Sequence, residues 1–361
     1  MTSPHFLNPK KETVRAIFIY KNFAAFKGIS HIGLGVSVMN TAKVLSRNGL
    51  WGQVEPAVSP AELDTVITRI QTTAITNNEV LLSHVIISAA WIPTQDMSNL
   101  IRKWTNITFI MLIHSNVGFL QADSNGVKLL REAFILETSN HNFHVAGNCQ
   151  KFATWVRNAY NVPCLCLPNL YDTQTVVGNN NKTSWKNGTL RIGCFGAYRP
   201  LKNIITAAGA ALEIANKLKV NLEFWTNGGR DEGGSATIRG AVHGILMNLP
   251  GVKEIESNWQ SWPEFRKTVG HMHLLLQPSY TESFNICTAD GIAEGVASVV
   301  SHAIDWVPPE WQGNADDTSA LAHIGIKLLN DPKSAKHGLD ALNKHVHNGT
   351  KLWEQMLLTK V

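Results

Sequence analysis

The chain predicts an α/β protein built from two doubly wound, Rossmann-like parallel-sheet domains. Short apolar runs rich in Val, Ile and Leu alternate with amphipathic stretches of helical period along almost its whole length. The connections between them are brief and carry Gly, Pro, Asn or Ser, as in successive βαβ units. At 361 residues the chain is also too long for one ordinary core, and a polar, turn-rich stretch over 178–188 interrupts the alternation near its middle.

Composition narrows the class without naming a function. A hydrophobic fraction of 44% with 27 glycines and only 16% charged residues suits a folded α/β protein and excludes a disordered chain. The net charge of +5 would suit phosphate-bearing ligands, an anionic membrane face or nucleic acid, and selects none of them. Cys149, Cys164, Cys166, Cys194 and Cys287 lack zinc-like spacing and mostly lie in apolar segments, so buried free thiols in a reducing compartment are expected. The first residues carry no apolar signal core, and no run of eighteen apolar residues occurs. The expectation is a cytoplasmic protein without stable membrane insertion; its oligomeric state has no signature.

The first half reads as follows. Residues 13–20 are an apolar run expected to form the first parallel strand. A loop with Gly28, Gly33 and Gly35 comes next, then an amphipathic helix over 36–47, stopped by Asn48-Gly49. Strand, glycine loop and helix is the order of a dinucleotide site, but Gly33-Leu-Gly35-Val-Ser-Val38 has no third glycine and no acidic residue at the right distance. Helices are expected over 61–76, 94–104, 126–136 and 150–160, and strands over 84–90, 108–113, 143–147 and 163–167. His114 follows the strand 108–113 at its carboxyl edge.

The second half opens with a strand over 190–195 that runs into Gly196-Ala-Tyr-Arg199-Pro-Leu-Lys202-Asn203. A helix to Asn216, a strand over 220–226 and the turn Asn227-Gly228-Gly-Arg230 follow. Then come a helix over 236–247, a short strand over 254–257 and a helix over 262–269. The most informative stretch begins with a buried strand over 271–276, which Pro278 and Ser279 end. A helix over 284–294 follows, closed by Gly295, and a second buried strand runs to Val300. Glu282 therefore lies in a loop at the carboxyl end of a strand, just ahead of a helix N-terminus, where open sheets bind ligands and free backbone N–H groups favour anions. Residues 301–313 read as irregular, and 320–329, 335–346 and 351–358 as three separate helical pieces.

Pro278, Ser279, Glu282, Phe284, Gly295 and Val296 stand in the register of the donor-sugar motif of family 4 glycosyltransferases, and the stretch resembles that motif. Asn285 stands where the family has glycine, Asp290 where it has a second glutamate, and Ala297 where it has proline. The loop 196–203 resembles the family's Gly-Arg-x-x-x-x-Lys element; Lys202 is in register, Ala197 holds the arginine position, and Arg199 comes two residues later. Pro168-Asn-Leu-Tyr-Asp172 resembles the Pro-Asn-Gly-Val-Asp that closes the N-terminal domain. The resemblance covers most of the chain, in order, up to Val300.

It implies the GT-B fold, with the site in the cleft between two domains. An acceptor domain over 1–172, a linker over 173–188 and a donor domain over 189–335 would be followed by helices over 336–361 that cross back. The implied activity is retaining, metal-independent transfer of a sugar from a nucleotide diphosphate donor, with no cofactor. The acceptor could be a glycan, a lipid, a small molecule or, as in some bacteriophage enzymes, a hydroxylated DNA base. Lys202 and Arg199 would hold the diphosphate, with backbone dipoles over Ser283, Phe284, Asn285 and Ile286. Glu282 would orient the sugar, Asp290 would bind ribose, Gly196, Asn227 and Gly228 would approach the nucleotide, Gly33 and Gly35 would approach donor or acceptor, and His114 would face the sugar. No Asp-x-Asp occurs in the chain. Beside these stand structural alternatives: an accidental acid, a surface basic pair, a packing turn and a structural histidine. On the same fold, an inactive nucleotide-sugar-binding relative or a nucleotide-sugar epimerase are the competing functions.

Overall fold

The computed structural model describes residues 5–6, 14–21, 32–175, 184–229 and 234–359. Gly28, Arg230 and residues 176–183 of the expected linker lie outside the described residues. The chain divides into two compact units: 1–172 with 346–361, and 173–345.

In the first unit the strands are β1 (His5–Phe6), β2 (Arg15–Lys21), β3 (Trp51–Ala57), β4 (Leu82–Ser88), β5 (Thr108–Ile113), β6 (Phe143–Gly147) and β7 (Leu165–Cys166). They lie in the order β1-β3-β2-β4-β5-β6-β7, all parallel except β1, which pairs antiparallel with β3. The helices are α1 (Ile32–Arg47), α2 (Pro60–Asn77), α3 (Thr94–Lys103), the single turn α4 (Val117–Leu120), α5 (Ser124–Ser139) and α6 (Gln150–Tyr160). Successive strand residues serve opposite faces. Ile17, Ile19, Val85, Ile87 and Phe109 join one core and Ala16, Phe18, Ile86 and Ile110 the other. Helices cover both faces, which is why these strands read as continuous apolar runs.

Two expectations for this unit are corrected. Strand β3 had no sequence signal, because Trp-Gly-Gln-Val-Glu-Pro-Ala mixes a glycine, a proline and two polar residues. The structure explains the mixture. A Cβ on Gly52 would lie 2.9 Å from the Ala42 carbonyl oxygen, so α1 packs directly on the strand backbone. Gln53 and Glu55 are buried in one polar network: Arg15 donates to Gln53 (3.4 Å), Gln53 donates to Glu55 (2.6 Å), and Arg69 pairs with Glu55 (3.1 Å). The second correction concerns Gly33 and Gly35, expected in a loop. Both lie in the opening turn of α1, which starts four residues earlier than the apolar periodicity indicates.

The second unit holds β8 (Thr189–Gly193), β9 (Asn221–Asn227), β10 (Val252–Ser257), β11 (Leu274–Gln277), β12 (Ser298–Ser301) and β13 (Gln312–Gly313). Their order is β10-β9-β8-β11-β12-β13, all parallel. Its helices are α7 (Ile204–Leu218), α8 (Ser235–Leu246), α9 (Trp262–Gly270), α10 (Ile286–Ala293) and α11 (Thr318–Asn330). The sheet runs outward from β8 in one direction and from β11 in the other, so the strand order reverses between them. That reversal is the switch point at which open α/β sheets take ligands, and the loops after β8 and β11 are the two motif loops.

The last helix, α12 (Ser334–Leu358), is continuous, where the sequence read as two pieces. It begins in the second unit and ends in the first. The apparent break at Asn348-Gly349 serves packing, since a Cβ on Gly349 would lie 2.7 Å from Leu170 Cδ2. Further along, Trp353 is fully buried against Phe18 (ring centroids 5.6 Å apart) and its indole N–H donates to the Pro168 carbonyl at 2.8 Å. Among the described residues no helix is long and apolar enough to cross a membrane.

Candidate functional site

The site of the second unit is assembled by the loops that leave β8 and β11. After β8 the chain turns through Gly196, whose φ of +131° lies in the range that disfavours side chains. The Gly196 N–H donates to the Asn227 side chain at the end of β9 (2.7 Å). A Cβ there would stand 3.1 Å from Lys202 Cε, so the missing side chain also makes room for the lysine. Lys202 ends a 3-10 turn, Pro200–Lys202, and Asn203 follows in the left-handed conformation with φ 55°. The Asn203 side chain donates to the carbonyls of Pro278 (3.1 Å) and Ala315 (2.7 Å). The Tyr280 N–H donates to Leu201 O (3.0 Å), so the two motif loops are bonded twice before any charge is considered.

The charges then meet. Lys202 Nζ lies 2.5 Å from Glu282 Oε1, with both side chains nearly covered (12% and 10% exposed). Burial alone would raise the Glu282 carboxyl. The Lys202 ammonium, through its charge and its hydrogen bond, holds it below the usual carboxylate range, helped by the charge of Arg199 and by Ser279. Arg199 thus acts on this carboxylate although Ala197 holds the arginine position of the motif. Asn285 caps α10 from a left-handed conformation (φ 62°), and its Oδ1 accepts from the Thr288 N–H at 2.9 Å. Its Nδ2 donates to Glu282 Oε1 (3.2 Å) and to Gln277 Oε1 (3.4 Å).

Two further side chains hold this loop, and neither carried a sequence signal. Trp306, from the irregular stretch after β12, donates its indole N–H to the Phe284 carbonyl (2.6 Å) and stacks on the Phe284 ring (5.2 Å). His345 stacks on the same ring, also at 5.2 Å. Asp290 is buried within α10 and accepts a hydrogen bond from the Trp262 indole (2.9 Å). Ser283 stands in the loop and Ile286 opens the helix. Gly228 follows Asn227 with the Glu256 carboxylate against it, since a Cβ on it would meet Glu256 Oε1 at 2.0 Å. Cys194 and Cys287 are buried, and burial pushes each thiol up to about 12, partly offset by the charge of Lys202. None of the five cysteines is in a disulfide, but Cys149 and Cys166 are only partly covered, which corrects the expectation that all are buried.

The remaining candidates belong to the first unit. His114 directly follows β5, and burial pushes its imidazole down to about 4, so it is neutral at pH 7. Gly33 and Gly35 lie on α1 with ordinary helical backbone; among the described residues a Cβ on Gly33 would meet nothing within 4 Å, and one on Gly35 would touch the Tyr20 ring at 3.6 Å. Neither uses the conformational freedom of glycine. Ala89, just past β4 and bonded through its N–H to Leu112 O (2.8 Å), holds φ 71°, which is rare for alanine. Among the described residues no group of three or more His, Cys, Asp or Glu side chains is placed to hold a metal ion.

No protein-family model matches the sequence, and no curated protein matches it. Solved structures do. The UDP-forming α,α-trehalose-phosphate synthase of Burkholderia xenovorans, in complex with glucose-6-phosphate, superposes over 95% of this chain and 99% of its own, with a TM-score of 0.63 at 10% identity. Sucrose-phosphate synthase from Thermosynechococcus elongatus does so over 95% and 98%, with a TM-score of 0.62 at 13% identity. S. aureus TarM, in complex with UDP, matches over 76% of this chain and 55% of its own, with a TM-score of 0.57 at 13% identity. The chain has the GT-B fold. In GT-B terms the second unit carries the Lys202 loop and the Glu282 loop, and the first unit carries His114 and the opening of α1.

Proposed function

We propose that this protein is a glycosyltransferase that takes its sugar from a nucleotide diphosphate donor, with retention at the anomeric carbon and without a metal. The observation that carries the reading is the Lys202–Glu282 pair at the strand-order reversal of the second unit, set beside the N-terminus of α10. The structural neighbours named above support it: one is described as UDP-forming, and another holds UDP.

The chemistry assigned to the site follows from charge. Breaking the bond between sugar and phosphate leaves negative charge on the diphosphate while the sugar becomes cation-like. Lys202 and Arg199 supply the positive charge that a metal ion would otherwise bring, and the first amides of α10 add their dipoles. Glu282, kept ionised by those same cations, accepts hydrogen bonds from sugar hydroxyls and fixes the ring. Asp290, oriented by Trp262, is assigned to the ribose hydroxyls, and Asn227, Gly196 and Gly228 to backbone approach around the nucleotide. His114, being neutral, would act toward the sugar as a hydrogen-bonding group rather than as an acid. The leaving phosphate itself is the base assigned to the acceptor hydroxyl. The acceptor stays open among glycan, lipid, small molecule and hydroxylated DNA base.

One observation favours the inactive relative as a second reading: Asp290 Oδ1 is already bonded to Trp262. Calorimetry with nucleoside diphosphates and nucleotide sugars, first without metal and then with magnesium, decides between them. Binding of one nucleotide sugar without metal, its slow hydrolysis with retained configuration, and loss of both in Lys202→Ala support the transferase. Binding with no turnover under any condition favours the inactive relative, and no binding at all sinks both readings.

A further inference from the structure

Asn285 stands where the resembling family has glycine, and its backbone conformation explains why a substitution is tolerated there. At φ 62° the residue occupies the left-handed region, in which glycine is easiest and asparagine is the next best accommodated. A glycine would satisfy the backbone and do nothing more. Asparagine adds an amide, and both its oxygen and its nitrogen are engaged. Oδ1 closes the first turn of α10 through Thr288 N, while Nδ2 reaches the Glu282 carboxylate and the buried side chain of Gln277 at the end of β11. The residue is itself 5% exposed, so these bonds are sheltered from water.

We propose that Asn285 is a positioning residue for Glu282. Its amide holds carboxylate oxygen Oε1 alongside Lys202 and ties the acid to the strand end and the helix start at once. The inference rests on the proposed role of Glu282 for its functional meaning, and on geometry alone for its structural meaning. Without Asn285, Oε1 would depend more heavily on the lysine, a long and flexible partner whose ammonium can swing through many rotamers. With it, Oε1 is fixed by two donors of different origin, 80 and 3 residues away in the chain. A displacement of the acid of about 1 Å costs on the order of 100-fold in rate, so such a clamp has room to matter.

The charged and titratable groups that face Glu282 are Lys202, Arg199 and the Cys287 thiol. Asn285→Gly keeps the left-handed backbone and removes the whole amide. Asn285→Asp keeps an oxygen to cap Thr288 but replaces the donor to Glu282 with an acceptor and a like charge. The test is a 13C-carboxyl titration of Glu282, assigned with Glu282→Gln, in the full-length wild type and both variants, together with turnover of the donor found by calorimetry. The expected result is a titration midpoint that rises in Asn285→Gly and rises further in Asn285→Asp, with kcat lowered by about tenfold or more and KM changed far less. A purely structural cap predicts otherwise: a Glu282 titration unmoved in both variants, with Asn285→Asp matching wild type in melting temperature and kcat. That outcome overturns the proposal. The titration needs no substrate, so it still decides the clamp if the protein proves to turn over no nucleotide sugar; that failure would count against the transferase instead.

Discussion

Lys202 and Glu282 stand 80 residues apart in the chain and 2.5 Å apart in space, and the loops that bear them are bonded to each other through Asn203 and Tyr280 as well. An ion pair this sheltered is costly to break from one side, because the remaining charge stays in a poorly hydrated place.

The pair therefore makes two predictions of different kinds. Glu282→Ala and Lys202→Ala should each lower turnover by about 100-fold or more with far-UV circular dichroism unchanged, since both residues lie on loops outside the sheet. Acid stability should respond as well. Glu282 has a folded-state pKa below its ordinary 4.5, so its contribution is present above that value and is lost as pH falls through the lower folded value. Glu282→Gln should flatten the loss of stability in that acid window, as read by denaturant melts at stepped pH. A variant with wild-type kcat would remove Glu282 from the site.

Two glycines test what glycine is for. At Gly196 the φ of +131° would strain any side chain, and a methyl group would stand 3.1 Å from Lys202 Cε and press on it. Gly196→Ala should cost about 1–3 kcal/mol and loosen the lysine, with turnover falling in step. At Gly33 the backbone is helical, and among the described residues nothing stands within 4 Å of the place a methyl group would take. Gly33→Ala should raise stability by roughly 0.5–1 kcal/mol, the ordinary helix-propensity difference. Urea melts read both. Stabilisation with activity lost would mean that a ligand approaches the backbone of Gly33.

His114 and His84 should both be neutral at pH 7. Burial, joined for His84 by the neighbouring His144, pushes each down to about 4 from an ordinary 6.5. The unfolded chain takes up these protons first, so stability is complete above pH 6.5 and declines as pH falls toward 4. Proton NMR of the ring Hε1 signals gives the midpoints directly. A midpoint for His114 near 6.5 would show that it is hydrated and free to act as an acid.

What could be read from the sequence was local. Strands 108–113 and 143–147 and helix 150–160 stand where periodicity put them, because each buries a stripe or face of its own. Strand β3 was hidden because two of its buried residues, Gln53 and Glu55, are polar and are satisfied by Arg15 and Arg69, which come from a neighbouring strand and from a helix. Glu282 and Lys202 were singled out in the sequence by the resemblance of their loops to the family motifs, and the fold brings the two together. The clamp of Asn285, the Trp262 contact of Asp290 and the Trp306 stack were not legible there, since they join residues whose proximity only the folded sheet creates.

The closing helix has a consequence for how the protein is made. Trp353 fills a gap in the core of the first unit, between Phe18 and the Pro168 carbonyl, yet in chain order it comes after the whole of the second unit. The amino-terminal unit is translated first but must wait with its core unplugged until the other unit has been synthesised in full. A premature stop just after β12 would therefore spoil the half of the molecule that had already emerged from the ribosome.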